Sequence, residues 1–376
     1  MRHLRSFLLF ISYLTVMHSC ILEDPWDPSE CPPPYTSGIT LSYDYLLNMD
    51  YTNRFDRQVS ELKAFIFNAD GILCDTLTPP VVAGELNNEW VRQINLDPGT
   101  YSIVTWAGNL NFRQSYLFAH QNDPSEPNAE GVIIGQTRIT DLRTFLRYNI
   151  QSPNNHEATP VQNNFHELFY GIQRDIVVKE KEHTTVHTSL LKDSKTIRVK
   201  IGQLSAISTP APIASDFNIR LTGRNGHYLS DNNTGEQSHL IRYVPHTQIV
   251  EEDTLRADIK TLRLRKYNQD DPYAAPLALT ITQRSTGMKI CESLDVVDLV
   301  LKSHIPFRDN EGRIQTDDEG KTIWVYPTLE YLDRQDLFEI IFAIKHTGGG
   351  GDDGDGQLNF TVYVNGWKIA NIIPDI

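Results

Sequence analysis

The chain has 376 residues, of which 40% are hydrophobic and 22% are charged, and its formal net charge is −14. This composition is ordinary for a folded protein, and the length is sufficient for two domains. The acidic balance argues against nucleic acid and anionic lipid headgroups as the main partners, because a negative surface repels both.

The first 20 residues have the pattern of a bacterial export signal that ends in an acylation site. Two arginines precede an apolar run over residues 7–17, which is too short to span a bilayer. The following Met-His-Ser-Cys20 resembles a lipobox, in which the cysteine becomes the first mature residue and is acylated. We therefore predict a signal peptide over residues 1–19 and lipidation at Cys20. The alternative is an ordinary secretory signal with a coincidental cysteine.

Residues 20–37 are predicted to form an extended tether. They are acidic and contain five prolines, a composition that favours an extended chain over a packed one. Acidic residues directly after a lipidated cysteine also resemble the surface-export signal of Bacteroides-type lipoproteins. This resemblance implies a lipid-anchored, surface-exposed protein of the outer membrane.

The remaining cysteines, Cys31, Cys74 and Cys291, allow at most one disulfide. Their spacing matches no zinc site. The Asp/Gly-rich stretch at 348–356 offers carboxylates for Ca²⁺, but it lacks the spacing and the final glutamate of an EF-hand. A long hairpin loop is the favoured interpretation there, and we predict no metal, cofactor or small-molecule substrate.

The body of the chain alternates short apolar runs with turns, which predicts an all-β fold. Helices or turns are predicted at 141–149 and 164–170, and one helix at 293–302. Many short strands with few short helices indicate β-sandwiches rather than a parallel sheet. The predicted strands lie at 38–46, 62–67, 101–107, 175–179, 185–191, 196–201, 217–221, 255–267, 277–282, 288–291, 323–326, 337–345, 358–364 and 367–372.

Residues 60–75 permit two opposed interpretations. An apolar run that ends in Asn68-Ala-Asp-Gly71 favours a buried strand and a tight turn, in which Gly71 takes a positive φ. The run also resembles the opening of haloacid-dehalogenase-type phosphatases, whose first aspartate is the nucleophile. Asn68 stands at that position and cannot form an aspartyl-phosphate, although Asp70 stands at the second. We therefore favour the structural turn and predict that the protein is not an enzyme.

Two other motif fragments are interpreted as coincidental. His183 and His187 have the spacing of a zinc-binding helix, but Thr184 stands where the general-base glutamate would be. Residues 319–322 end like a phosphate-binding loop, but Gln315 occupies the position of its first glycine.

A pattern of strand, loop, strand and turn occurs twice, at half-chain spacing. The first copy runs over residues 39–75 and the second over residues 196–231. Two similar sandwich domains would produce such a repeat. We predict an N-terminal domain at 38–174 and a C-terminal domain at 175–376.

Weak motifs in a fixed order carry a family resemblance. They are Cys20 and the segments 27–32, 41–45, 65–71, 96–101, 168–171 and 362–367. In this order they resemble the FimB-type anchor and accessory subunits of Bacteroides-type (type V) fimbriae, over nearly the whole mature chain. The resemblance implies two tandem transthyretin-like β-sandwich domains. It also implies a lipid-anchored subunit at the fimbrial base, which joins the stalk subunit by exchanged strands and limits the length of the fimbria.

The usual aspartate of that family is replaced by Asn68, and the Asp/Gly-rich stretch is a further departure. These departures leave open whether the chain is the anchor or another accessory subunit. A surface glycan-binding lipoprotein is the competing hypothesis, and it would show exposed aromatic side chains that are coplanar on one face.

The last predicted element is a hairpin. Apolar and polar residues alternate over 358–365, and Asn365-Gly366 has the sequence of a type I′ turn. The following strand is predicted to place Trp367, Ile369 and Ile373 on one face. Such a strand either closes its own sandwich or extends into a groove of a neighbouring subunit.

Overall fold

The computed structural model describes residues 36–80, 84–120, 131–147, 159–161, 164–234, 239–266, 275–346 and 358–373. These residues form 24 strands in six sheets, with three short α-helices and three single-turn 3₁₀ segments. The predicted all-β class is confirmed. No helix in the described ranges is both long enough and apolar enough to cross a membrane.

The first eleven strands are β1 Gly38–Asp44, β2 Glu61–Phe67, β3 Leu73–Leu77, β4 Val91–Asn95, β5 Gly99–Gly108, β6 Tyr116–His120, β7 Leu142–Leu146, β8 Thr159–Pro160, β9 Phe169–Val178, β10 His183–Ser189 and β11 Leu191–Lys192. The others are β12 Lys195–Gly202, β13 Phe217–Gly223, β14 His227–Leu229, β15 Ile241–Tyr243, β16 Thr247–Glu251, β17 Thr254–Thr261, β18 Ala278–Gln283, β19 Lys289–Asp295, β20 Ile305–Pro306, β21 Trp324–Val325, β22 Leu337–His346, β23 Leu358–Val364 and β24 Trp367–Ile372. The helices are α1 Phe55–Gln58, α2 Val296–Leu301 and α3 Leu329–Arg334.

Two of the predicted helical segments are wrong or too long. The segment 141–149 contains strand β7, because Leu142, Phe145 and Leu146 are buried in pairing with β6 and β14. The predicted helix at 293–302 begins only at Val296, since β19 continues to Asp295, whose carboxylate caps the helix.

The predicted repeat has a counterpart in strand pairing. β1 lies between antiparallel β4 and parallel β10, and β12 lies between antiparallel β17 and parallel β22. In the opposite sheets, β2 lies between antiparallel β3 and β5, and β13 lies between antiparallel β15 and β18. The two strands of each copy therefore belong to different sheets, as in a β-sandwich.

Strand pairing bears on the predicted domain boundary. Residue 174 lies inside β9, which pairs with β5 along its length, while β10 pairs with β1 and β11 pairs with β9. A boundary at 174 would divide a continuous strand. We propose instead that the boundary lies near residue 193, and we call residues 36–192 the first half and residues 193–373 the second half.

Strand β2, in the sheet β11-β9-β5-β2-β3, is buried on both faces. On β2, Leu62, Ala64 and Ile66 pack into one apolar cluster with β1, while Phe65 and Phe67 pack into another. The second cluster contains Trp106 and also includes residues from the strands of the second half. A strand buried on both faces has apolar residues on both, which explains the uninterrupted apolar run in the sequence.

Charged side chains are also partly buried where the halves meet. Glu167 forms ion pairs with Lys192 at 3.3 Å and with Lys260 at 2.7 Å, and the Ser194 hydroxyl donates to it. Lys192 also pairs with Asp336 at 3.2 Å. These contacts join the segment before β9 to β11 and β17 and hold the two halves together.

Candidate functional site

Several predicted features lie outside the described residues. These are the lipidation site Cys20, the tether up to residue 35, Cys31 and the Asp/Gly-rich stretch at 348–356. Within the described ranges, no group of three or more His, Cys, Asp or Glu side chains is arranged to hold a metal ion.

The two cysteines in the described part of the chain are free thiols. Burial raises the pKa of Cys291 to about 12, and its thiol faces the Leu279 carbonyl. Burial, followed by the nearby Asp75 carboxylate, raises the pKa of Cys74. A raised pKa keeps both thiols protonated near neutral pH, so neither is a thiolate nucleophile.

Asn68 acts as a turn residue. Its side-chain oxygen accepts hydrogen bonds from the backbone N–H groups of Asp70 at 3.1 Å and Ile72 at 2.9 Å. Gly71 has a φ of +71° and its N–H donates to the Asn68 carbonyl. The amide oxygen therefore closes the turn after β2, as the structural interpretation predicts.

The two coincidental motifs are also parts of β structure. His183 and His187 lie on β10, where four residues span about 13 Å, too far for one metal ion. His187 instead bonds Asp44 at 2.6 Å. In the 319–322 segment, Asp317 accepts from the N–H groups of Glu319 and Lys321, which forms a tight turn and no phosphate cradle.

The predicted C-terminal hairpin is present. Asn365 and Gly366 have φ values of 52° and 80°, as a type I′ turn requires, and β24 folds back antiparallel on β23. The sheet order is β16-β17-β12-β22-β23-β24, so β24 is an edge strand. We call β23, residues 365–366 and β24 the C-terminal hairpin.

Trp367, Ile369 and Ile373 do not share one face of β24 as predicted, because the strand contains a β-bulge. Val362 pairs with Ala370 and Tyr363 pairs with Lys368, so Ile369 is an extra residue without a direct partner. The bulge shifts the alternation, and Trp367 now shares the core side with Ala370 and Ile372. Ile373 follows on the opposite face and is 59% exposed.

β24 is held less firmly than β23. Phe360, Val362 and Val364 of β23 are fully buried, whereas Ile369, Ala370 and Ile372 of β24 are only partly buried against the same cluster and Trp367 is 37% exposed. The turn is fastened by the Asn365 amide, which donates to the Ser303 hydroxyl at 3.1 Å. An edge strand with this shallow burial presents unpaired backbone N–H and C=O groups to a partner.

Exposed aromatic rings adjoin this edge. The Trp367 ring is 37% exposed and lies 5.4 Å from the Trp324 ring, while His304 lies between Trp367 and Tyr326 at 4.6 and 4.4 Å. The Trp324 and Trp367 rings meet at 71°. They do not form the coplanar platform that the glycan-binding hypothesis requires.

Several solved structures share this fold. A candidate adhesin from Bacteroides thetaiotaomicron is 20% identical with a TM-score of 0.63 and covers 90% of this chain and 98% of its own. A candidate polysaccharide-binding protein from the same species is 20% identical with a TM-score of 0.62, covering 88% of this chain and 96% of its own. The fimbrial anchor protein Mfa2 from Porphyromonas gingivalis is 19% identical with a TM-score of 0.60, covering 89% and 99%.

No curated protein sequence matches the chain. The sequence profile of the fimbrillin-A associated anchor proteins Mfa1 and Mfa2, however, matches residues 28–373. That family consists of structural anchor proteins and not of enzymes, and its members associate with other fimbrial subunits at the cell envelope. The chain therefore belongs to the family of fimbrillin-A associated anchor proteins and is a fimbrial accessory or anchor subunit.

Proposed function

We propose that this chain is the base anchor of a fimbria, held in the outer membrane by lipid on Cys20 and joined to the first stalk subunit by strand exchange. In this position it limits the length of the fimbria. The observation that supports the stalk contact best is β24, an edge strand at the end of a sheet with only shallow burial of its own apolar residues.

The unequal burial of the two hairpin strands supports donation of β24 rather than of β23. Removing β24 from its sheet exposes half-buried side chains, whereas removing β23 would expose three fully buried ones. Because the cost of exposure grows with the apolar area uncovered, β24 is the strand that separates more easily. In a groove of the stalk subunit, its backbone would supply hydrogen bonds, and apolar side chains from both faces of the strand, among them Trp367, Ile369 and Ile373, would supply contacts.

Deletion of residues 367–376 tests this contact. We expect the shortened protein to fold, because β23 keeps its pairing with β22, but to lose binding to the stalk subunit in a pull-down with purified proteins. Ile249→Ser is the matched control, since β16 is the opposite edge of the same sheet and this side chain is exposed. Normal stalk binding by the folded deletion protein would refute donation, and an unfolded protein would mean that β24 closes its own sheet.

Cys20→Ala tests the lipid anchor. We expect the variant to lose palmitate label and to leave the membrane fraction, because several acyl chains at about 0.8 kcal/mol per buried methylene are needed for firm anchoring. Cys74→Ala is the control, since this half-exposed thiol belongs to the folded body. Unchanged labelling and fractionation of the Cys20 variant would show that the lipobox interpretation is mistaken.

A further inference from the structure

A cavity of about 430 Å³ opens where the first half meets the loop and helix of the second half. Its volume falls within the range of about 300–1,000 Å³ that is typical of small-ligand sites. We call it the junction cavity, and its lining includes Tyr51, Phe307, Arg308, Tyr326, Tyr331 and Arg334. Two carboxylates also line it, and each is paired with an arginine: Asp309 with Arg313 and Glu330 with Arg334.

One aromatic wall of the junction cavity is fixed in place. The Arg334 guanidinium lies 4.3 Å from the centre of the Tyr51 ring. Gly312 packs so closely on the same ring that a Cβ atom at this position would lie 2.2 Å from Tyr51 Cδ2. The wall is therefore rigid before any ligand arrives, which lowers the entropic cost of binding.

The two arginines of the cavity differ in their hydrogen bonding. Arg334 donates to the Glu330 carboxylate at 2.8 Å and to the Leu46 carbonyl at 3.1 Å. Arg308 donates from Nη1 to the Gly312 carbonyl at 2.6 Å, but its Nε is buried and has no partner in the described structure. A buried N–H without an acceptor is unfavourable, and a carboxylate that bridges Nε and a terminal nitrogen would satisfy it.

The mouth of the cavity combines apolar and polar groups. Tyr326 is 64% exposed and Phe307 is 44% exposed, so both rings offer free surface. Asn310, Thr328 and Glu330 lie exposed around them. The apolar face of a sugar ring packs on such rings by dispersion, and its hydroxyls can bond the polar rim. A peptide terminus with an apolar side chain would leave that rim unpaired.

We propose that the junction cavity binds a carboxylated sugar residue of a glycan, with its carboxylate on Arg308 and its ring against Tyr326 and Phe307. This site is independent of the anchoring function. The overall negative charge of the chain disfavours long polyanions, so the ligand is a single acidic residue or a short segment that contains one. We expect a ligand that contacts Tyr326 to change the fluorescence of Trp367, because the His304 ring contacts both the Trp367 and the Tyr326 ring.

The test uses the mature chain and a panel of methyl glycosides of glucuronate, galacturonate, N-acetylneuraminate, glucose and galactose. Binding is measured by calorimetry and by tryptophan fluorescence. We expect at least one acidic glycoside to bind, and the uncharged sugars to bind about tenfold more weakly or not at all. Arg308→Gln should lower the affinity for the acid about tenfold or more. Arg92→Gln, an equal charge change at an exposed position on β4, should leave it unaltered.

Tyr326→Ala provides a second variant that should not disturb folding, since this side chain is largely exposed. It should weaken binding of the acidic glycoside severalfold. The proposal is overturned if no acid binds the wild-type chain, if neutral sugars bind equally well, or if both cavity variants bind like the wild type. Tighter binding of a peptide with a free C-terminal carboxylate, with displacement of the sugar, would also overturn it.

Discussion

Replacing Trp106 by alanine is expected to lower the free energy of unfolding by about 3–5 kcal/mol. Trp106 lies on β5, is fully buried, and contacts the rings of Phe65, Phe118 and Tyr170 at 5.5–6.1 Å between centroids. It belongs to the apolar cluster that continues from the first half into the second. Alanine would leave a large cavity there, which the packed sheets cannot fill by small movements.

Urea unfolding of the mature chain, followed by circular dichroism, measures this loss. Trp106→Phe is the matched control, because it keeps the ring contacts and removes an indole N–H that has no hydrogen-bond partner in the described structure. We expect phenylalanine to cost less than half as much as alanine. A loss below about 1 kcal/mol for alanine would mean that Trp106 is not central to the packing.

Replacing Glu167 by alanine is expected to cost about 3–5 kcal/mol, because it leaves the buried Lys260 ammonium without its carboxylate, while Lys192 keeps Asp336. Lys260 is only 9% exposed and lies 2.7 Å from Glu167, while Lys192 lies at 3.3 Å. The control is the double variant Glu167→Leu with Lys260→Met, which replaces the pair by apolar groups of similar size. It should recover most of the lost stability, as replacement of buried ion pairs often does.

The ion pair between Glu167 and Lys260 also predicts that the free energy of unfolding depends on pH. Burial favours the neutral acid, but the ammonium groups of Lys192 and Lys260 outweigh it and hold the pKa of Glu167 below its ordinary value. A lowered carboxyl pKa gives stability that is present above the unfolded-state pKa and is lost as the pH falls through the folded-state pKa. The double variant should lack this part of the acid dependence in urea titrations at several pH values. An acid dependence equal to that of the wild type would contradict the assignment.

Local patterns in the sequence determined many of the strands, the turns at Asn68 and Asn365, and the all-β class. The apolar run of β2, the turn closed by Asn68 and the type I′ turn at Asn365 each depend on neighbouring residues only, through side-chain alternation and backbone preferences. The order of motifs along the chain also pointed to the fimbrial anchor family, whose profile matches residues 28–373.

Only the tertiary structure decided how these elements meet. The segment 141–149 becomes strand β7 because partners on both sides bury it, which is a long-range effect that local preference does not contain. The bulge at Ile369 is set by the pairing of two strands, so alternation in one strand could not reveal it. The junction cavity and the Glu167 cluster bring together residues far apart in the chain, and their geometry exists only once the sheets have packed.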